Sequence, residues 1–179
     1  MSDAVWAFDV DGCLVDSLTG TSLRPGALET LGLLRADGAT ILLWSAGGRE
    51  HAVSRAAELG FAHLIDAVYA KEIRGPDGRW STANLPPEHQ PDAFVDDWPD
   101  EAPATARLVR VSPYIAPNPH DRGLSPLLAE LTASRSTRPT GPGGAAAPTA
   151  RGVSSRPPGP PARPVTSIRR STGPCTPMG

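Results

Sequence analysis

Two aspartates near the start of the chain, Asp9 and Asp11, are separated by one residue and follow a short apolar run. Alternate side chains of an extended segment leave on the same side, so both carboxylates face the same space. A second acidic pair, Asp96 and Asp97, follows another apolar run. Two like charges about 4 Å apart repel by roughly 4 kcal/mol at an effective dielectric constant near 20. A cluster of such carboxylates must therefore bind a cation or stay partly protonated.

Magnesium is the cation that this set of residues favours, because every ligand would be an oxygen atom. The sequence offers no group of Cys and His residues at the spacing of a zinc site. Lys71 is the only lysine in the chain, against sixteen arginines. A compact ammonium group can neutralise an aspartate and a phosphoryl oxygen in a space where a planar guanidinium fits less well.

Ser45 adds a hydroxyl group at the end of a third apolar run. The residues that follow, 46–49, can present backbone N–H groups at the start of a helix, which is an arrangement that binds phosphate. A serine that only caps the helix would have the same sequence signature. Together with the carboxylates and Lys71, Ser45 indicates chemistry on a phosphoryl group.

The elements that must position these residues alternate between short apolar runs and helical patterns, which is typical of a parallel sheet with crossover helices. We predict a Rossmann-like, three-layer α/β/α sandwich with a mainly parallel five-stranded sheet. The predicted strands are residues 4–8, 40–44, 67–70, 93–95 and 108–111, and the predicted helices are residues 25–37 and 49–59. Ligands of such sheets bind beyond the carboxyl ends of the strands, where all the polar residues above are expected to meet.

The last 47 residues differ from the rest in composition, since 17 of them are Pro or Gly and none is acidic or aromatic. That share exceeds the roughly 25–30% typical of low-complexity disorder. Such a segment buries too little apolar area to offset ~1–2 kcal/mol of backbone ordering entropy per residue. We therefore predict a folded domain over residues 1–132 and a disordered tail over residues 133–179.

Charge divides the chain at the same place. Residues 1–132 carry ten basic and nineteen acidic groups, a net charge of −9, whereas the tail carries +7. The acidic body excludes a globally basic nucleic-acid binder. Three interpretations of the tail stay open: a solvated extension, an arm that contacts anionic partners such as RNA, lipid or the acidic body, and a segment foreign to natural protein.

No apolar run approaches the ~20 residues that a membrane helix needs, and the first residues lack a signal-like pattern. We therefore expect no membrane span and a cytoplasmic protein. The two cysteines, Cys13 and Cys175, lie in dissimilar contexts and predict no disulfide.

Four short stretches in order resemble the motifs of the haloacid dehalogenase superfamily of phosphohydrolases: FDVDG at residues 8–12, LLWS at 42–45, Lys71, and FVDD at 94–97. The resemblance covers nearly all of the predicted domain. It implies a Rossmann-like sheet, a bound magnesium ion and an aspartyl-phosphate intermediate.

The resemblance also implies a role for each matching residue. Asp9 is similar to the nucleophile that attacks phosphorus, and Asp11 to the general acid and base. Ser45 would hold the phosphoryl oxygens, and Lys71 would offset charge on Asp9 and on the phosphoryl group.

The metal shell implied by the resemblance consists of Asp9, the backbone carbonyl of Asp11, Asp96 and Asp97. Asp100 and Glu101 are alternatives to Asp97, and the sequence does not decide between them. Cys13 stands where the family often has threonine, a difference that removes no catalytic group.

Short intervals between the motifs argue against a cap domain. Only 33 residues lie between Asp11 and Ser45 and 25 between Ser45 and Lys71, and the predicted elements fill most of both intervals. We expect a capless enzyme with residues 15–24 as a flap over an open site. An open site admits a large phosphorylated substrate, such as a polymer end, or requires a neighbouring subunit of a homo-oligomer as its roof.

The sequence thus predicts a magnesium-dependent phosphomonoesterase that acts through an aspartyl-phosphate on Asp9. Two alternatives stay open: a noncatalytic phosphate-binding adaptor on the same fold, and a receiver-like phosphoacceptor. A receiver has its acidic pair before its lysine, however, whereas here the pair at residues 96–97 follows Lys71.

Trp80 and Trp98 are the aromatic residues best placed to contact a substrate. The four histidines, including His51, are expected to be surface or packing residues.

Overall fold

A computed structural model of the chain describes residues 4–104 and 107–137. The five strands of the main sheet are β1 (Val5–Phe8), β2 (Thr40–Ser45), β3 (Ala67–Ala70), β6 (Ala93–Asp96) and β7 (Arg107–Arg110). A small hairpin consists of β4 (Ile73–Arg74) and β5 (Trp80–Ser81), and the helices are α1 (Ala27–Ala36), α2 (Arg49–Glu58) and α3 (Ser125–Ser136). Single turns of 3₁₀ helix lie at Ala62–Leu64, Pro87–His89 and Pro99–Glu101.

The main sheet confirms the predicted fold class. Its strand order is β3-β2-β1-β6-β7, and each pair of neighbours is parallel. Strand β1 lies at the centre, with β2 on one side and β6 on the other. The order of the strands therefore reverses beside β1, and this is the place in an open parallel sheet where ligands bind.

The described helices pack on one face of the sheet, and the segment between β3 and β6 covers the other. Trp6 and Phe8 of β1 point to that face, where they join buried residues of all three helices. The alternate residues Val5 and Ala7 point to the other face, whose core includes Leu85 from the irregular segment between β3 and β6.

The handedness of the crossovers and the composition of the connections explain this arrangement. Right-handed crossovers from β1 to β2 and from β2 to β3 run in the same direction across the sheet, so they place α1 and α2 on one face. The connection from β3 to β6 runs in the opposite direction and therefore crosses the other face. Its residues include a Pro-Asp-Gly turn at 76–78 and two adjacent prolines at 86–87, which oppose a regular helix.

Helix α1 begins after Gly26, which has a φ of 82°. The residues that it buries are Ala27, Thr30, Leu31 and Leu34, so the apolar face follows the spacing i, i+3, i+4, i+7. Leu28 lies at helical spacing from Leu31 and Leu34, but 49% of it is exposed. Its position is rotated away from the centre of the buried stripe.

Helix α3 continues to Ser136 and packs its residues Leu127 and Leu131 into the helical face of the core. The domain boundary predicted after residue 132 therefore falls inside a helix. The rest of the predicted tail, residues 138–179, lies outside the described residues, as does Cys175. Cys13 is a buried free thiol. None of the helices in the described part of the chain is long and apolar enough to cross a membrane.

Residues 15–24, the predicted flap, are held by two buried charged side chains. The Asp16 carboxylate is fully buried. It accepts hydrogen bonds from the backbone N–H groups of Thr19, Thr21 and Ser22 at 2.6, 3.0 and 2.8 Å. Burial acts to raise the pKa of Asp16, but these donors outweigh it and lower the pKa. Asp16 therefore fixes the loop through its charge.

Arg24 closes the same loop and is 1% exposed. It donates a hydrogen bond to the Cys13 carbonyl oxygen at 2.9 Å and forms an ion pair with Asp121 at 2.9 Å. It also donates to the Ser112 carbonyl oxygen. The segment that follows β1 is thus tied to the segment that precedes α3, which fixes the backbone on which Asp9 and Asp11 lie.

Candidate active site

The carboxyl ends of three strands bring Asp9, Lys71 and Asp96 together. Asp9 follows β1 and donates its backbone N–H to the Val95 carbonyl oxygen at 2.9 Å. The Lys71 ammonium lies 2.7 Å from Asp9 Oδ1 and 3.0 Å from Asp96 Oδ2. The three side chains are 11%, 5% and 4% exposed for Asp9, Lys71 and Asp96. The single lysine of the chain is therefore a buried bridge between two carboxylates from neighbouring strands.

Lys71 does not fully compensate the charge around Asp9. Burial is the largest influence on the Asp9 carboxyl and, with Asp96 and Asp97 nearby, it outweighs Lys71 and raises the pKa of Asp9 to about 7. Burial acts to lower the pKa of Lys71, but Asp9 and Asp96 reverse this effect and raise it. The ammonium therefore stays charged, while the site as a whole keeps an excess of negative charge.

Asp97 completes a group of three carboxylates. One oxygen from each of Asp9, Asp96 and Asp97 lies within 4.8 Å of the others. Burial and the neighbouring Asp96 raise the pKa of Asp97. The sequence-based alternatives to Asp97 lie outside this group: Asp100 is exposed, and Glu101 pairs with Arg74.

Gly12 gives the Asp97 carboxylate room to approach. A Cβ atom at Gly12 would lie 2.5 Å from Asp97 Oδ2, closer than real Cβ contacts come. The backbone of Gly12 also has a φ of 83°, which L side chains rarely adopt. Both the conformation and the close approach therefore require glycine after Asp11.

The donor chemistry of this group fits magnesium. Three carboxylate oxygens are hard ligands, and one ammonium offsets their charge only in part. A divalent cation would also favour the ionised form of Asp9. The Asp11 carboxylate is not a member of the group, so of the four residues assigned to the metal shell, the structure brings together the side chains of Asp9, Asp96 and Asp97.

The Asp11 carboxylate contacts His51 instead. His51 Nε2 lies 2.9 Å from both Asp11 Oδ1 and Asp11 Oδ2. Both side chains are about one third exposed, at 33% for His51 and 36% for Asp11. A Cβ atom at Gly47 would lie 2.8 Å from His51 Cδ2, so a glycine at this position leaves room for the imidazole beside Asp11.

His51 was expected to be a surface or packing residue, and its contact with Asp11 was missed. The signal lay in its position, since His51 falls in the first turn of the helix that starts beside Ser45. A helix that begins at the carboxyl edge of a sheet presents its first turn to that edge.

Ser45 is the last residue of β2 and is 1% exposed. Its hydroxyl oxygen accepts a hydrogen bond from the Gly47 N–H at 3.0 Å. This bond shapes the turn between β2 and α2. Contact between Ser45 and phosphoryl oxygens stays a prediction.

A cavity of about 280 Å³ opens over the clustered carboxylates and Lys71. Its lining includes Asp9, Asp11, Lys71, Asp96 and Asp97, the flap residue Ser17, Ala46 and Gly47 from the turn after β2, and Trp80, Trp98 and Glu101 on the side of the hairpin. A larger cavity of about 370 Å³, lined by residues such as Trp6 and Arg107, contains none of the clustered carboxylates.

Neither a protein-family model nor a curated protein matches the chain. Among solved structures, a haloacid dehalogenase-like hydrolase family protein from Streptococcus pneumoniae is similar, with a TM-score of 0.50 and 13% identity over 64% of this chain and 88% of that one. The core domain of a candidate phosphoglycolate phosphatase from S. pneumoniae has a TM-score of 0.47 and 15% identity over 77% and 98% of the two chains. A D,D-heptose 1,7-bisphosphate phosphatase from B. bronchiseptica has a TM-score of 0.40 and 16% identity over 73% and 99%.

Proposed function

We propose that this chain, which has the fold of haloacid dehalogenase-like hydrolases, is a magnesium-dependent phosphomonoesterase that acts through an aspartyl-phosphate on Asp9. The observation that carries the proposal is the bridge of Lys71 between Asp9 and Asp96, with Asp97 beside them, at the floor of one cavity. Phosphoryl transfer depends mainly on positioning and charge neutralisation, and this arrangement provides both.

In the first step, a carboxylate oxygen of Asp9 attacks phosphorus and the bond from phosphorus to the ester oxygen breaks. Lys71 contacts Asp9 Oδ1, which leaves the other oxygen available for the attack. Asp11 gives a proton to the departing alkoxide, so the alcohol leaves neutral. The products of this step are the free alcohol and a phosphoryl group bound to Asp9.

In the second step, water hydrolyses the acyl phosphate. Asp11, now ionised, takes a proton from that water as it attacks phosphorus, and Asp9 is released as a carboxylate. The contact of His51 Nε2 with both Asp11 oxygens holds the carboxyl in one orientation for both proton transfers. Splitting one displacement into two lowers the barrier of each.

The carboxylates of Asp9, Asp96 and Asp97, with the Asp11 backbone carbonyl, would hold the magnesium ion. The ion would supply charge neutralisation at the phosphoryl oxygens. The interval between Asp11 and Ser45 contains the flap, α1 and β2. This content supports the proposal that the site has no cap domain and stays open on the side of Trp98.

Release of phosphate from p-nitrophenyl phosphate by the full chain, with and without Mg²⁺, tests the proposal. We expect turnover that requires the cation and is lost in Asp9→Asn, which removes a charge but little volume. The Asp9 peptide of wild type, quenched in acid during turnover, should carry the mass of one phosphoryl group.

Glu58→Gln is a matched control, because Glu58 is an exposed carboxylate on α2 that pairs only with Arg55 among the described residues. It should keep wild-type turnover. Full turnover in Asp9→Asn would reassign the nucleophile, and no turnover in wild type on several monoesters would refute the function.

A further inference from the structure

The cavity over the carboxylates has a second wall that the proposed chemistry does not use. Trp98 lines this wall although 64% of it is exposed, and Trp80 lines it half-buried. Asp9 lies at the floor with 11% of its side chain exposed. The cavity therefore runs from a buried acidic floor to a mouth that carries two indole rings.

Polar contacts fix the backbone of Trp98 and the indole ring of Trp80. The Trp98 backbone N–H donates to Asp96 Oδ1 at 2.7 Å, which fixes the residue beside the carboxylate group. The Trp80 indole N–H donates to Glu101 Oε2 at 3.1 Å, and the Arg74 guanidinium lies 3.9 Å from the centre of the Trp80 ring. Arg74 also donates to Glu101 Oε2 at 2.7 Å. These contacts fix the Trp80 ring and the Trp98 backbone at the mouth of the site.

Charge on the wall limits what can bind there. Of the lining residues that the structure describes, five are acidic and Lys71 is the only cation. Lys71 is already committed to Asp9 and Asp96 at the floor, and Arg74 to Glu101 behind the wall. A second phosphate on the leaving group would meet Glu101 with no free cation among these residues. The mouth therefore suits a leaving group without further anionic charge.

We propose that Trp80 and Trp98 form a leaving-group subsite that stacks on a nucleobase, so that the substrate class is the nucleoside monophosphates. This inference rests on the proposed function for its phosphate end. Indole rings bind nucleobases by stacking with little dependence on the base. In a nucleoside monophosphate the ribose separates the base from the phosphate, so the base can lie against the tryptophans at the mouth while phosphorus lies at the floor. An aryl phosphate, whose ring is attached directly to the phosphoryl oxygen, lacks that spacer.

AMP and ribose 5-phosphate form a matched pair of probes, because they share the phosphate and the sugar and differ only in the base. Calorimetric titration of both into the full-length Asp9→Asn chain with Mg²⁺ measures binding without turnover. We expect AMP to bind roughly tenfold or more tightly than ribose 5-phosphate. Adenosine 3′,5′-bisphosphate should bind more weakly than AMP.

Adding Trp98→Ala to this chain should remove the preference for AMP, whereas Trp98→Phe should retain most of it. Both variants keep the backbone N–H that donates a hydrogen bond to Asp96. Leu28→Ala, at an exposed residue on α1, should leave the ratio of the two dissociation constants unchanged.

Kinetics of the wild-type chain separate the two proposals. If wild type hydrolyses phosphate monoesters but shows the same kcat/KM and the same affinity for AMP as for ribose 5-phosphate, the subsite is overturned and the function stands. Binding of AMP that depends on Trp98, without hydrolysis of any monoester, would support the subsite and overturn the function. If the chain neither hydrolyses a monoester nor prefers AMP over ribose 5-phosphate, both proposals are overturned.

Discussion

Replacing Lys71 with methionine removes the positive charge between two buried carboxylates, and we expect the variant to lose stability. The ammonium lies 2.7 Å from Asp9 Oδ1 and 3.0 Å from Asp96 Oδ2. At an effective dielectric constant of about 20, these separations correspond to attractions of about 6 and about 5.5 kcal/mol before desolvation is counted. Removal of one partner from a buried ion pair costs ~3–5 kcal/mol, because the remaining charge is left unpaired. We expect a loss of that size near pH 8.

The loss should shrink as the pH falls. Even with Lys71 in place, burial raises the pKa of Asp9 from 3.8 to about 7. A carboxyl whose pKa is higher in the folded state favours folding below its unfolded pKa, and this contribution is lost as the pH rises through the folded pKa. Near pH 5, Asp9 is protonated in both proteins, so the variant lacks mainly the contact with Asp96. Above pH 7, wild type gains the attraction of Lys71 for ionised Asp9, and the variant does not.

Urea unfolding of both proteins without divalent cations, near pH 5 and near pH 8, measures the difference. Arg107→Met is the matched control, because Arg107 pairs with Glu130 at the surface, where the side chains are 50% and 49% exposed. An exposed pair of this kind contributes about 0–1 kcal/mol. A Lys71→Met protein as stable as Arg107→Met, or one whose loss is the same at both pH values, would refute this account of the site.

Three further outcomes follow from the same geometry. The unfolding free energy of wild type should fall between pH 4 and pH 7, the window set by the raised pKa of Asp9. Mg²⁺ should raise the melting temperature more near pH 8 than near pH 5, because protons compete with the cation for Asp9. Equal shifts of the melting temperature at the two pH values would argue against a cation on Asp9. Gly12→Ala should destabilise the protein by about 1–3 kcal/mol and weaken Mg²⁺ binding, measured by unfolding and calorimetry, because its Cβ would lie 2.5 Å from Asp97 Oδ2; a wild-type affinity would contradict the close approach. His51→Ala should lower kcat more than it changes KM, and His51→Gln, which keeps a donor towards Asp11, should restore part of kcat; equal losses in both variants would show that the contact does not position Asp11.

The convergence of Asp9, Lys71 and Asp96 could be predicted because it follows from topology alone. Parallel strands end at the same edge, so residues that follow separate buried runs meet there whatever the details of packing. The turn after Asp11 is also a local matter, since a glycine with a positive φ is a short-range requirement. Features of this kind depend on a few residues and on the direction of the strands.

The layering and the His51 contact depend on packing between segments that are distant in sequence. Helical spacing placed Leu28 with Leu31 and Leu34, but the orientation of α1 against the sheet and α3 decided which of the three is buried. The face opposite the helices is covered by Leu85 and its neighbours, which have no periodic pattern to indicate their role. His51 carries no spacing signal relative to Asp11, because 40 residues separate them.

The arrangement of buried charge explains how the fold can hold a site that opposes its own stability. Burial, together with the neighbouring carboxylates, raises the pKa values of Asp9 and Asp97 in spite of Lys71, so the site is electrostatically unfavourable without a cation. Asp16 and Arg24 are buried as well, but Asp16 accepts backbone hydrogen bonds and Arg24 pairs with Asp121 and donates to the Cys13 carbonyl oxygen, and these contacts tie the loop after β1 to distant parts of the chain. Satisfied buried charges rigidify a structure, whereas unsatisfied ones favour binding of a counter-charge. Asp16 and Arg24 therefore hold the backbone in place, so that the clustered carboxylates cannot move apart. The repulsion that remains among these carboxylates favours binding of a cation and, with it, a phosphoryl group.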